Sequence, residues 1–361
     1  MQTASAVAAE GLPPSVALAT TLMGSALVNI AAGFLFWIIA LLPGAKSGGV
    51  SRLLPPALQA GLFAAIGWSL YELSFETLSL AQPIAMLRNG SLFGWASARL
   101  WLPANALGGF LWMASQRTSH PALFPTFVIA ITLSTHLVRL TSATTQAEAR
   151  ADGWLMPETS GRPFWDLLNS RDFGSVRFDL IFNADALGEL ISAVLFGPLI
   201  NTVLNLVLIG PVWVGDESLK VDRELKAHAV GSLVIGAAGG YSNYIAISNT
   251  AIHLKCGGSD RLSCDVAAAV AALFLLFHPL FGVIGYVPTL VVAATCVYIG
   301  LDFLNDNLVT PLNSGNLSTA AASWLVFGCC QQIGILWGAV LGVICCQLCR
   351  RVQRGGHEKA E

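Results

Sequence analysis

Hydrophobic residues in this chain come in long unbroken blocks separated by short polar punctuation. Blocks able to cross the roughly 30 Å hydrocarbon core of a bilayer run over about 16–43, 55–73, 100–116, 121–139, 187–212, 263–281, 284–304, 317–333 and 334–350. Two shorter pieces, about 226–240 and 244–255, are each too short to cross comfortably as independent helices. The pattern predicts an all-α polytopic membrane protein.

The short pieces meet at Gly239-Gly240-Tyr241-Ser242-Asn243-Tyr244-Ile245-Ala246-Ile247-Ser248-Asn249-Thr250. A Gly-Gly break followed by small polar residues suits a half-helix, about 244–255, that begins inside the bilayer. Its first backbone N–H groups lack intrahelical acceptors, and at that depth they persist only where they line a cavity. With the helix dipole they favour an anion. Discontinuous helices of this kind mark solute sites in secondary transporters. One unbroken rod over residues 226–255 would defeat this expectation.

Of the 361 residues, 55% are hydrophobic and 11% charged, against about 25% charged in a soluble domain. The net charge of −2 and the lack of a basic run argue against nucleic acid as a partner. Met1 to Pro14 carries Glu10 and no Lys or Arg, the wrong sign for a signal peptide. No zinc spacing occurs among the eight cysteines, and no cofactor is expected. Cys345, Cys346 and Cys349 abut Arg350-Arg351, so they are either buried free thiols or substrates for S-palmitoylation. No His-Glu-x-x-His, paired membrane aspartates or serine–histidine pair suggests an enzyme.

With the C-terminus placed in the cytoplasm, 12 of the 19 basic residues fall in short inner loops, in keeping with the positive-inside rule. The long 140–186 segment is then external and, with Trp154, Phe164, Trp165, Phe173 and Phe178, reads as a partly ordered cap. Asn89-Gly90-Ser91 is a sequon on the same side.

Leu53 to Trp68 and Tyr286 to Leu301 share a layout: prolines near the start, a small-residue face, and a closing Ile66-Gly67 or Ile299-Gly300. By the span count the two run in opposite directions, as an inverted repeat would produce. Two unrelated helices with N-terminal prolines would look similar.

Val221-Asp222-Arg223-Glu224-Leu225, the Gly239-Gly240 break, Ser248-Asn249-Thr250-Ala251, Gly282 to Pro288 and Ile299-Gly300-Leu301-Asp302 together resemble the sulfate permease (SulP) anion transporters. Arg52 to Trp68 resembles that family's fifth helix. The resemblance implies seven plus seven helices in inverted repeat. A core, helices one to four and eight to eleven, would move against a gate built from the rest. The anion would sit between the N-termini of half-helices three and ten. On that mapping the chain begins near helix four, lacks the first three helices and ends before a STAS domain. It would comprise a tail (1–15), the remainder of the first repeat (16–139), the extramembrane loop (140–186), the second repeat (187–350) and a cytoplasmic tail (351–361).

The resemblance puts Ser242, Asn243, Tyr244 and Ile245 at the start of the tenth half-helix, with Ser248 and Asn249 further along it. Many relatives carry arginine where Asn249 stands, so a fixed positive charge is missing. Helix eight would contribute Asn201, Thr202 and Asn205. Their plain alternative is interhelical hydrogen bonding, and that of Ser242 and Asn243 is helix capping. Two functions follow. One is an elevator-type secondary transporter of sulfate- or bicarbonate-like anions. The other is a non-transporting remnant that acts as a membrane interaction partner. The partners expected are an inorganic anion, membrane lipid, and a homodimer mate or second membrane chain.

Overall fold

The computed structural model describes residues 14–41, 56–118, 120–158, 177–181, 194, 202, 205–206, 221–238, 246–258, 260–313, 317–334, 338 and 341–342. Its main helices are α1 (Pro14–Leu41), α2 (Pro56–Thr77), α3 (Trp95–Ser115), α4 (Leu123–Thr141), α5 (Val221–Ala237), α6 (Ile247–Lys255), α7 (Arg261–Leu276), α8 (Thr289–Leu304) and α9 (Leu317–Ile333). Among the described residues the only β feature is an isolated bridge between Leu155 and Pro288. Met23–Leu41, Leu123–Thr141 and Thr289–Asn313 are each long and apolar enough to cross a membrane. Phe34, Trp37, Leu133, Leu137 and many similar side chains point outward, the inverse of a soluble surface. The chain is a multi-pass, all-α membrane protein.

Prolines fix several ends. Pro288 sits in extended conformation (φ −65°, ψ 133°) ahead of α8, so this helix starts at Thr289 rather than at the expected 284. The expected span 263–281 also shortens. α7 stops at Leu276, Phe277 leaves the helix at φ −111° and ψ 73°, and Pro279 opens a 3-10 stretch, His278–Tyr286. Gly334 takes φ +88° beyond α9, a left-handed C-terminal signal that separates the last two expected spans.

The chain divides into two compact units. The first comprises Met1–Leu54 and Phe164–Thr250. Within it α1 and α5 pack antiparallel. A methyl group on Gly33 would stand 3.0 Å from the Ala229 carbonyl, and one on Gly236 would stand 3.0 Å from the Ala26 carbonyl. Small residues let the two backbones approach, which is how membrane helices gain van der Waals contact without a hydrophobic drive. Val28, Ala32, Phe36 and Ala40, at four-residue spacing, pack with Leu225, Ala229, Val194 and Leu206. The Phe36 and His228 rings lie 6.2 Å apart.

The second unit comprises Pro55–Pro163 and Ala251–Glu361. Its centre is α8, buried along almost its whole length between α2 and α3. Gly108 of α3 brings a would-be methyl within 2.7 Å of the Ala294 carbonyl. α2 also packs on α9, where Gly61 approaches the Ser323 carbonyl. Beyond α8 the chain makes a π-helical turn, Asn305–Val309.

Residues 142–158 form an ordered piece of the external segment. Thr145 and Glu148 make a reciprocal capping box at the short helix Gln146–Ala151. The piece is fastened to the head of α8: Thr289 donates its hydroxyl to the Gly153 carbonyl at 2.6 Å, and Met156 N donates to the Val287 carbonyl at 3.0 Å.

Candidate functional site

α5 stops at Ala237, and a new helix, α6, begins at Ile247. The first bond of its ladder runs from Thr250 N to the Ala246 carbonyl at 3.0 Å. The amides of Ile247, Ser248 and Asn249 therefore precede the ladder and have no intrahelical acceptor. The half-helix starts three residues later than its expected bound at 244. Ser242, Asn243, Tyr244 and Ile245 lie outside the described residues, as does Asn201. Ser248 falls in the first turn of α6, and Asn249 follows it with an exposed side chain.

Thr202 and Asn205 are buried in the first unit, Thr202 completely. The Thr202 hydroxyl has no hydrogen-bond partner there. An unmade hydrogen bond at a buried hydroxyl costs about 1–3 kcal/mol, so this oxygen is set to receive something. The same unit buries Asn29, which donates to the Ser25 carbonyl at 3.1 Å, and Ser232, whose hydroxyl is also unpartnered. The sequence reading missed both. Their signal was a polar residue inside an apolar, small-residue helix face.

The other end of α6 is held firmly. Lys255 Nζ lies 2.5 Å from Asp302 Oδ2 and 5.0 Å from the centre of the Tyr298 ring, both on α8. Gln116, just past α3, donates to Asp302 Oδ1 at 3.5 Å. A cation at a helix C-terminus suits the dipole, and the carboxylate keeps it in place. His253 meets the Ser263 hydroxyl at 2.9 Å, while Ser263 N donates to Asp260 at 3.1 Å, which tightens the turn into α7. The half-helix thus has free amides at its start and an ion pair at its end. The sequence reading counted Lys255 as an inner-loop charge and gave Asp302 no role. The clue was an aspartate inside an apolar span. Among the described residues, no group of three or more His, Cys, Asp or Glu side chains could hold a metal.

Residues 104–318 match the sequence profile of the sulfate permease family. The vacuolar basic amino acid transporter VSB1 of Saccharomyces cerevisiae is 19% identical over 304 residues, covering 83% of this chain and 28% of that protein. This chain therefore spans under a third of that relative's length. Among solved structures, the transmembrane domain of a cyanobacterium bicarbonate transporter, BicA, superimposes with a TM-score of 0.53. It is 18% identical, and the match covers 95% of this chain and 79% of that one.

Proposed function

Because the chain belongs to the sulfate permease family, we propose that it is a secondary active transporter whose solute meets the first turn of α6. The observation that carries this reading is the end of one helix at Ala237 and the start of another at Ile247 within a polytopic helical protein. Fresh amides at membrane depth need an acceptor, and an oxyanion provides one. The buried, unpartnered hydroxyl of Thr202 lends a second donor from helix eight.

The solute on this reading is an inorganic anion of the sulfate or bicarbonate class, held by amides and hydroxyls and not by a salt bridge. Movement is elevator-like. The first compact unit, containing α1, α5 and the start of α6, serves as the core, and the second, containing α2, α3, α4, α8 and α9, serves as the gate. The division of the chain supports that assignment except at α7, which groups with the gate and not with the core as the resemblance implies.

A second substrate reading is favoured by the neutral Asn249 together with the basic amino acid transporter among the relatives. An amino acid also offers a carboxylate to the amides of α6, and a missing arginine would spare its cationic side chain from repulsion. Uptake of sulfate, bicarbonate and arginine into vesicles holding the full chain decides between the two. Tyr244→Pro, which disturbs the start of the half-helix, should abolish uptake of whichever solute is carried. Unaltered uptake would refute α6 as the binding element. Uptake of none of the three by the intact chain would favour the interaction-partner reading.

A further inference from the structure

A cavity of about 620 Å³ lies within the second unit, between α3, α4, the external piece 142–155 and the head of α8. It touches none of the residues assigned to the solute site. Its α4 wall runs Phe127, Ile131, Ser134, Val138, Arg139 and Ser142, a spacing of three or four that keeps one helix face toward the space. α4 is loosely held: of its 19 residues only Phe127 and Ile131 are buried, so this face meets few protein atoms.

The wall changes character along its length. From Phe127 to Val138 it is apolar apart from Ser134 and Thr135, and Leu107 and Phe110 of α3 face it. At its outer end stand Arg139, Ser142, Thr144, Asp152 and Trp154. Arg99 pairs with Asp152 at 3.3 Å, so that carboxylate is engaged. Arg139 gives one Nη to the Thr144 carbonyl at 3.2 Å, while its Nε is buried without a partner. Among the described residues no carboxylate pairs with Arg139. The mouth is therefore cationic, with two arginines to one aspartate, and one guanidinium donor faces no acceptor.

Size narrows the occupant. At a rise of 1.5 Å per residue, Phe127 to Arg139 spans about 18 Å, close to the roughly 15 Å depth of one leaflet. A protein helix of that length, about 10 Å across, would need roughly 1,400 Å³, more than the cavity offers. Spaces of about 300–1,000 Å³ take a single extended small molecule. Guanidinium binds phosphate through paired donors, and Trp154 has the amphipathic ring favoured at headgroup level.

We propose that this groove holds one acyl chain of an anionic phospholipid, with its phosphate on Arg139 and its tail along α4 toward Phe127. The lipid would fill the gap between α4 and the rest of the unit and so act as part of its packing. A second copy's helix and free phosphate are the rival occupants.

The test is native mass spectrometry of the full chain after mild delipidation, followed by re-addition of phosphatidylglycerol or phosphatidylcholine. One phosphatidylglycerol per chain should survive, favoured over phosphatidylcholine by roughly fivefold, the scale of one arginine near a charged headgroup. Arg139→Gln should erase the preference, and Arg139→Lys should keep part of it. Ser134→Trp, which fills the groove from a position where the native side chain is exposed, should expel both lipids. Helicity by circular dichroism confirms that each variant is folded. The proposal is overturned if retention is the same in the native chain, Arg139→Gln and Ser134→Trp. It is equally overturned if inorganic phosphate alone occupies Arg139 with no lipid retained, or if bound mass is lost only when a dimer dissociates.

Discussion

Gly67 of α2 and Gly300 of α8 face each other reciprocally: a methyl on Gly67 would meet the Gly300 carbonyl at 3.0 Å, and one on Gly300 would meet the Gly67 carbonyl at 2.8 Å. These are the residues that close the two similar sequence segments. Equivalent positions touching each other is the signature of a two-fold relation, in which residue i meets j and j meets i. Phe63 and Phe303 flank the pair edge to face, with centroids 5.8 Å apart. The match between the segments therefore reflects an inverted repeat better than two unrelated proline-headed helices.

Gly300→Ala should destabilise the chain by about 1–3 kcal/mol, the usual cost of overpacking, since the new methyl meets main-chain atoms of Gly67 and Tyr71. Gly109→Ala, where nothing lies within 4 Å, should be neutral or mildly stabilising because alanine favours helix. Thermal unfolding in detergent compares them. Equal midpoints would contradict the packing argument.

The Lys255–Asp302 pair should respond asymmetrically. Asp302 has 8% of its side chain exposed and Lys255 has 39%. Lys255→Met strands a buried carboxylate, at a cost of about 3–5 kcal/mol. Asp302→Asn leaves an ammonium that still reaches solvent, at no more than about 1 kcal/mol. Combining Lys255→Met with Asp302→Leu should recover most of the loss. The same thermal assay reads all three, and a larger loss from Asp302→Asn would invert the assigned burial.

Thr202→Val removes a hydroxyl that has no partner. Without solute it should leave stability unchanged or raised. Solute-induced stabilisation should fall in the same variant, because the solute loses a donor. A drop in stability without solute would instead show that the hydroxyl already has a structural role.

The capping box at Thr145 gives a pH prediction outside the membrane. The Thr145 backbone N–H and hydroxyl donate to the Glu148 carboxylate at 2.8 Å each and hold its pKa below the ordinary range, the backbone bond contributing most. A carboxyl lowered on folding stabilises above its unfolded value of about 4.3 and loses that contribution as pH falls through the lower folded value. Amide exchange protection of residues 146–152 should therefore be flat near neutrality and fall only in acid. Glu148→Ala should remove that pH dependence.

The sequence exposed what depends on local pattern. Apolar length marked the membrane helices, the Gly-Gly break separated α5 from α6, and Gly334 ended α9. The Lys255–Asp302 contact was hidden because its partners are 47 positions apart and each has an ordinary local reading. Helix ends at Leu276 and Thr289 were misjudged because hydropathy continues through Phe277 to Val287 while the backbone, set by Pro279 and Pro288, does not. The capping box was readable as Thr-x-x-Glu and was passed over inside a segment judged only by its charge. Of the proposed site residues, Thr202, Asn205, Ser248 and Asn249 fall among the described residues, and Asn201 and Ser242 to Ile245 do not.

The π-helical turn after α8 explains one irregularity in what stays inside. Phe303 and Leu308 are both buried although five positions apart, a spacing that an α-helix would point about 140° around its axis. The wide turn absorbs the extra residue and brings Leu308 back onto the seam. Deleting Asn307 would then restore ordinary winding without disturbing Asp302 or Gly300. Inserting a residue there would swing the following stretch, Thr310 to Asn313, by about 100° and re-aim everything downstream.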